Sequence, residues 1–158
     1  MTQRGDLASV MDRMAIDDVV TGYAVAVDDG DWEAYRALFA PGGRADYTSA
    51  GGIEGPAGEV ADWLAEALRR FPVRQHLVVN RLVRLEGDGS GWPAVRARVR
   101  ADFVNPMRLD AAGSAPAGDA APNFVAAGRY SFVLARSDRD GWRITRVAVH
   151  EKWRRLSA

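Results

Sequence analysis

The sequence predicts an α+β domain in which three N-terminal helices pack on one face of a strongly curved, mixed but mostly antiparallel sheet. Two observations carry this. Apolar residues recur at helical spacing in three segments before Pro72, and beyond it the period changes to two through four long runs. The two patterns are segregated along the chain rather than alternating, so the helices should cover one face of a sheet that curls around them. A chain of 158 residues with 47% hydrophobic content is long enough to bury its own core and short for two, which predicts a single domain over 1–158.

The first helix follows Ser9, a candidate cap, with Ile16, Val19, Val20, Tyr23, Ala24 and Val27 forming one apolar stripe. Gly30 stops it, and Asp31 caps a short second helix through Trp32, Tyr35, Leu38 and Phe39 that Pro41-Gly42-Gly43 should close. A brief extended piece at Ala45-Asp46-Tyr47-Thr48 leads to a turn at Gly51-Gly52. The third helix places Val60, Trp63, Leu64, Ala67, Leu68 and Phe71 on one face, opposite Glu59, Asp62, Glu66, Arg69 and Arg70. Gln75 to Leu85, Ala94 to Val104, Ala126 to Arg136 and Trp142 to His150 read as strands. Glycine- and aspartate-rich turns at 87–91 and 137–141 suit hairpins, and the Ala111 to Pro122 connection suits a mobile loop over one end of the sheet. Such a cone encloses a cavity, lined mainly by apolar side chains with a few converging polar groups.

Charge and composition narrow the function. Lysine plus arginine and aspartate plus glutamate number 21 each, so no net field draws nucleic acid, an anionic membrane or an acidic partner. Cysteine is absent, which removes disulfides, thiolate metal sites and a cysteine nucleophile. No apolar run approaches the ~18 residues that span a bilayer, and the start lacks a signal-peptide apolar core, so a soluble, cytoplasmic protein is expected. GxGxxG, Walker and GxSxG motifs are missing, leaving nucleotide binding and serine hydrolysis without a foothold.

A few polar residues stand out against this background. Asp28 follows Val20 and Ala24 at four-residue steps, which continues the buried stripe; the competing reading is a helix-terminal acid in solvent beside Asp29 and Asp31. His76 leads the first long strand, and its side chain, with an unperturbed pKa of ~6.5, suits proton transfer, although a lone strand histidine is commonly only packed or exposed. Asp102 could orient that imidazole, but alternation puts it with Arg96, Arg98 and Arg100, opposite Val99, Ala101 and Phe103, unless a bulge before Pro106 reverses it. Tyr47 can donate a phenolic hydrogen bond to a carbonyl or can serve as plain packing, and His150 closes the last strand. No HxH, HxxxH or HxxE spacing supports a metal site from these residues, so neither metal nor cofactor is expected.

The run from Ile16 to Trp32, Leu38-Phe39-Ala40-Pro41, Gln75-His76-Leu77-Val78, Gly128-Arg129-Tyr130 and Asp140-Gly141-Trp142-Arg143-Ile144 together resemble the SnoaL-like group of NTF2-like proteins. The resemblance covers nearly the whole chain and is nearest to scytalone dehydratase and the bile-acid dehydratases, cofactor-free lyases that pair a helix-borne aspartate with a strand-borne histidine. It implies an NTF2-like cone with Asp28 and His76 as that pair, Tyr47 as the tyrosine beside the substrate carbonyl, and Asp102 as a further pocket acid. It also implies a drier pocket, since Val27 stands where scytalone dehydratase has a second tyrosine and Phe132 and Leu134 stand where it has polar residues. Tyr23, Val27, Phe39, Trp63, Phe132, Leu134 and His150 are the candidate walls.

The resulting expectation is a dehydratase, isomerase or cyclase acting on a small apolar cyclic carbonyl compound, such as a polyketide or steroid-like molecule. The resemblance further implies a homodimer or homotrimer joined through the outer sheet face. Two alternatives remain at this point. A non-catalytic binding or assembly module of the same fold predicts that Asp28 and His76 do not meet, and an epoxide hydrolase requires the arginines of the Ala94 to Val104 strand to face inward.

Overall fold

The computed structural model describes residues 2–87, 93–110 and 121–157. Helix α1 (Thr2–Asp29) and helix α2 (Trp32–Ala37) are followed by strand β1 (Phe39–Asp46), a single 3-10 turn and the short strand β2 (Glu54–Pro56). Helix α3 (Ala57–Ala67) comes next, then the strands β3 (Val73–Arg74), β4 (Leu77–Glu86), β5 (Arg96–Arg108), β6 (Phe124–Ser137) and β7 (Gly141–Leu156). The strands form one seven-stranded sheet in the order β2-β1-β7-β6-β5-β3, with β4 also paired to β5. Only β1 with β7 is parallel; the other pairings are antiparallel. This is the expected α+β architecture of three helices on a mixed, mostly antiparallel sheet.

The core lies between the helices and the inner sheet face. Ile16, Val20, Tyr23 and Val27 from α1 and Val60, Ala61 and Leu64 from α3 meet Ala97, Val99, Ala101, Phe103, Tyr130 and Phe132 of the sheet. Burial alternates without interruption along β5, and its pairing with β6 runs in constant register from Arg96 to Met107. A bulge before Pro106, which would have reversed the faces of β5, is therefore absent. The irregularity lies instead in β4, between Val79 and Leu82, where Asn80 takes a positive φ.

Several boundaries differ from the expected ones. Helix α1 begins at Thr2, well before Ser9, and Asp12 explains how its early turns are held: the buried carboxylate accepts from Trp142 Nε1 at 3.0 Å and pairs with Arg136. Helix α2 ends at Ala37, so Phe39 and Pro41-Gly42-Gly43 belong to a strand rather than a helix terminus. The cause is tertiary, because the Leu38 carbonyl accepts from Ile144 N at 2.8 Å and draws the chain beside β7. The glycines then take up an irregularity in register between Phe39 and Arg44, with Gly42 at φ +74°. The expected turn at 87–91 and the loop at 111–122 fall largely outside the described residues.

At the other edge of the sheet, a proline shapes the chemistry. Gln75 N donates to the Pro106 carbonyl at 3.1 Å, but proline has no N–H to return, and the ladder is broken between β3 and β4 at this point. His76 sits in that break. Among the described residues no helix is long and apolar enough to cross a membrane.

Candidate active site

Register determines which way the His76 backbone faces. Arg74 pairs with Met107 and Leu77 with Val104, so His76 stands opposite Asn105. Gln75 and Pro106 occupy a hydrogen-bonded position, which makes His76 and Asn105 the alternate, non-bonded kind, where facing side chains approach closely and the N–H points away from the partner strand. That N–H is thereby left for another acceptor, and Asp28 provides it.

Asp28 lies in the last turn of α1 on the apolar stripe, and its carboxylate reaches His76, just before β4, rather than solvent. It accepts from His76 N at 3.1 and 2.8 Å through its two oxygens, and from the imidazole Nδ1 at 2.5 Å. The side chains are 20% exposed for Asp28 and 9% for His76. Arg74 secures the helix end, donating from Nε and Nη2 to the Asp28 carbonyl at 3.3 and 3.1 Å and from Nη1 to the Leu68 carbonyl at 3.2 Å. These bonds satisfy carbonyls that a helix terminus leaves open and fix the spacing between α1 and the strand. With Nδ1–H directed at the carboxylate, Nε2 becomes the basic ring nitrogen, available to the cavity that His76 lines.

That cavity measures about 260 Å³, and Val27, Trp63, Phe103, Met107 and Val149 make most of it apolar. Its polar groups are few. Tyr47 lines it and hydrogen-bonds through its hydroxyl to the Tyr23 hydroxyl, both residues being buried. Burial, and secondarily the nearby Tyr130, pushes the Tyr47 phenol well above its ordinary value. Tyr130 is likewise pushed up by burial, partly offset by a hydrogen bond from Asn105 and reinforced by the charge of Asp28. Both phenols therefore stay protonated and can donate. Glu151 and Arg154, paired at 2.6 and 3.0 Å, stand at the exposed side.

Several expected pocket residues lie elsewhere. Asp102 is on the outer face, as alternation indicated: Arg129 Nε meets it at 2.7 Å, Asn80 at 3.4 Å and Lys152 at 3.8 Å. The hydrogen bond from Arg129, then that from Asn80, holds its carboxyl below the usual range. His150 is exposed, because Val147 and Val149 take the inward positions of β7. Phe132 and Leu134 do point inward but are sealed in the core beneath α1, Phe132 lying edge-on to Tyr23 at 5.3 Å. Phe39 packs on Tyr35 and borders a separate surface groove with Arg36 and Pro56. Tyr23 stands behind Tyr47 as its hydrogen-bond partner rather than as an apolar wall. Val27 and Trp63 are where they were expected.

Asn105 and Tyr130 were not singled out from the sequence. The alternation that sends Asp102 outward sends Phe103, Asn105 and Met107 inward, so the signal for Asn105 was present in the same strand. Among the described residues no three histidine or acidic side chains converge as a metal site would require. The arginines of β5, Arg96, Arg98 and Arg100, are exposed on the outer face, and the arrangement required for the epoxide-hydrolase reading is not assembled there.

Comparison with known proteins places this geometry in context. Residues 8–148 match the SnoaL-like domain family. An uncharacterized protein of Mycobacterium tuberculosis is 31% identical over 140 residues, covering 89% of this chain and 85% of the relative. Among solved structures, a Kribbella flavida protein superposes with a TM-score of 0.75 at 21% identity, covering 92% of this chain and 94% of the other. A hexachlorocyclohexane dehydrochlorinase of type LinA from Novosphingobium barchaimii gives 0.73 at 18% identity, covering 97% and 94%. A candidate scytalone dehydratase from Novosphingobium aromaticivorans gives 0.69 at 15% identity, covering 96% and 91%. At these identities the structural likeness is one of fold.

Proposed function

The chain belongs to the SnoaL-like domain family, and on that premise we propose that its cavity is the active site of a cofactor-free acid–base enzyme that removes HX from a small, apolar cyclic carbonyl compound. The observation that carries this reading is the Asp28–His76 contact of 2.5 Å at the wall of an apolar cavity. A non-catalytic module has no need to hold an imidazole in one tautomer against a carboxylate. The names of two structural neighbours, a dehydratase and a dehydrochlorinase, both describe elimination, which supports that class over isomerisation or cyclisation.

In this mechanism Nε2 of His76 takes the proton alpha to the substrate carbonyl, while Asp28 keeps the ring oriented and offsets the charge it acquires. The released electron pair forms the new carbon–carbon double bond as the bond to the beta substituent breaks. The proton on His76 then passes to the departing group, which leaves as water when that group is hydroxyl. Negative charge gathers transiently on the carbonyl oxygen, and the Tyr47 hydroxyl, from the cavity wall, is the donor assigned to it. When Tyr23 donates to Tyr47, the hydrogen of Tyr47 is left for the substrate and its donation is strengthened by the chain of two phenols.

The test is a screen of the wild type, His76→Ala and Asp28→Asn against hydroxylated cyclic ketones, following water loss by mass spectrometry and conjugation by ultraviolet absorbance. Turnover should fall by about 10² to 10⁴ in each variant with the thermal transition retained. Turnover indifferent to both substitutions would refute the assignment, and binding without turnover across the panel would favour a ligand carrier.

A further inference from the structure

The two glycines of the turn after β1 answer different needs. Gly51 takes φ +82°, and a Cβ on it would meet nothing within 4 Å, so backbone shape alone calls for glycine. Gly52 does not have a positive φ, and what it supplies is space. A Cβ there would lie 2.5 Å from Cη2 and 2.9 Å from Cζ3 of the Trp63 indole and 2.8 Å from Tyr47 Cβ, each well inside normal carbon–carbon contact. Tyr47 is not free to give way, because its N donates to the Ile53 carbonyl and its own carbonyl accepts from Gly52 N, both at 2.9 Å. Trp63 is, since the atoms concerned are at the far end of a rotatable side chain. The indole therefore rests its edge on bare backbone, and the same side chain lines the cavity that His76 lines.

We propose that Trp63, seated against Gly52, sets the size limit of the cavity, so that it takes one or two fused rings and turns larger ring systems away. The inference rests on the reading of the cavity as the substrate site and narrows its substrate class, excluding the steroid-like end of the expected range. At about 260 Å³ the cavity falls below the roughly 300 to 1,000 Å³ of sites that hold drug-sized molecules. Its other walls have little room to yield: Phe103, Met107 and Tyr130 are buried in the sheet, and Leu64 is buried on the core face of α3. Trp63 is only half-buried, at the margin of that face, which makes it the wall whose position is set by a single neighbour. Gly52 thus determines specificity without lining the cavity. Any side chain there pushes the indole off its seat and into the space that a ligand occupies.

The test is calorimetric titration with two flat ketones, bicyclic 1-indanone and tricyclic 9-fluorenone. Apolar area alone favours the larger one, so the expected order is diagnostic: the wild type should bind 1-indanone about tenfold more tightly. Trp63→Ala should reverse that order. Gly52→Ala should weaken 1-indanone binding about tenfold, whereas the same change made in Trp63→Ala should alter it by less than about twofold, because the clash then has no second partner. Circular dichroism checks that each variant is folded. Wild type that binds 9-fluorenone as tightly as 1-indanone would overturn the proposal, even if no variant folds. So would a Gly52→Ala protein with unchanged affinity, since the indole would then have swung away from the cavity, or a Gly52 effect that persists without Trp63. No saturable binding of either ketone would overturn the cavity as a ketone site and this proposal with it. Size selection with the expected coupling, but no His76-dependent turnover of hydroxylated cyclic ketones, sinks the acid–base reading only. His76-dependent turnover with equal binding of the two ketones sinks the Trp63 assignment only.

Discussion

Two aspartates illustrate how much a few ångströms of chain path decide at the scale of the residue. Asp28 accepts three hydrogen bonds from a single residue 48 positions away, while Asp102 lies on the outer face of β5 among arginine, asparagine and lysine. An exposed pair of the Asp102 kind contributes little, so Asp102→Asn should change kcat/KM by no more than about twofold. A loss of the size expected for His76→Ala would return Asp102 to the active site and require β5 to rearrange on binding. The sequence carried the answer for Asp102, because alternation along Val99, Ala101 and Phe103 assigns its face and no bulge intervenes. For Asp28 it did not. Helical periodicity left the stripe and the wet face equally open, and the choice is made by the His76 N–H, which the non-bonded position opposite Asn105 turns away from β5 and toward Asp28.

Among the elements, β1 was the least legible and is the most dependent on partners from elsewhere in the chain. Phe39 to Gly43 reads locally as the end of a helix, and only the pairing with β7 makes it a strand. Its far end is fixed by Asp46, which accepts from Thr48 N at 3.0 Å and Thr48 Oγ1 at 2.7 Å and pairs with Arg146 Nη2 at 3.2 Å. The Thr48 hydroxyl, then its N–H, holds the Asp46 carboxyl below its ordinary value of 3.8, with Arg146 adding a smaller effect. A carboxylate whose folded value is depressed stabilises the fold fully above the unfolded value and ceases to do so as pH falls through the folded one. Asp46→Asn should therefore be less stable than the wild type in urea at neutral pH, and the two curves should converge as pH drops below about 4. A gap that stays constant into acid would mean that shape rather than charge at Asp46 sets the end of β1. By contrast, α3 and the β5–β6–β7 meander were readable directly, since their periodicity is long and each buries one clean face.

The molecule as a whole gathers all four of its tyrosines into one interior. Tyr23 sits at the centre, with ring centroids 5.6 Å from Tyr35, 5.5 Å from Tyr130 and 5.3 Å from Phe132, and its hydroxyl reaches Tyr47. The segregation of helices and strands made this cone legible, but not the convergence of its phenols, which come from α1, α2, β6 and the turn after β1. Their position has a consequence for stability. Burial is the first cause pushing Tyr35, Tyr47 and Tyr130 above the ordinary value of 10.0. For a phenol raised in the folded state, the unfolded chain loses its proton first, so stability is intact below about pH 10 and declines as pH rises beyond it. Tyrosinate absorbance should therefore remain low while the fold persists and rise cooperatively with the loss of far-ultraviolet circular dichroism. The same dryness serves the proposed chemistry, because a phenol that cannot ionise at working pH remains a hydrogen-bond donor to a developing oxyanion. Phenolate appearing near pH 10 with circular dichroism unchanged would show water reaching the cluster. It would also remove the low-dielectric setting on which the role of Tyr47 depends.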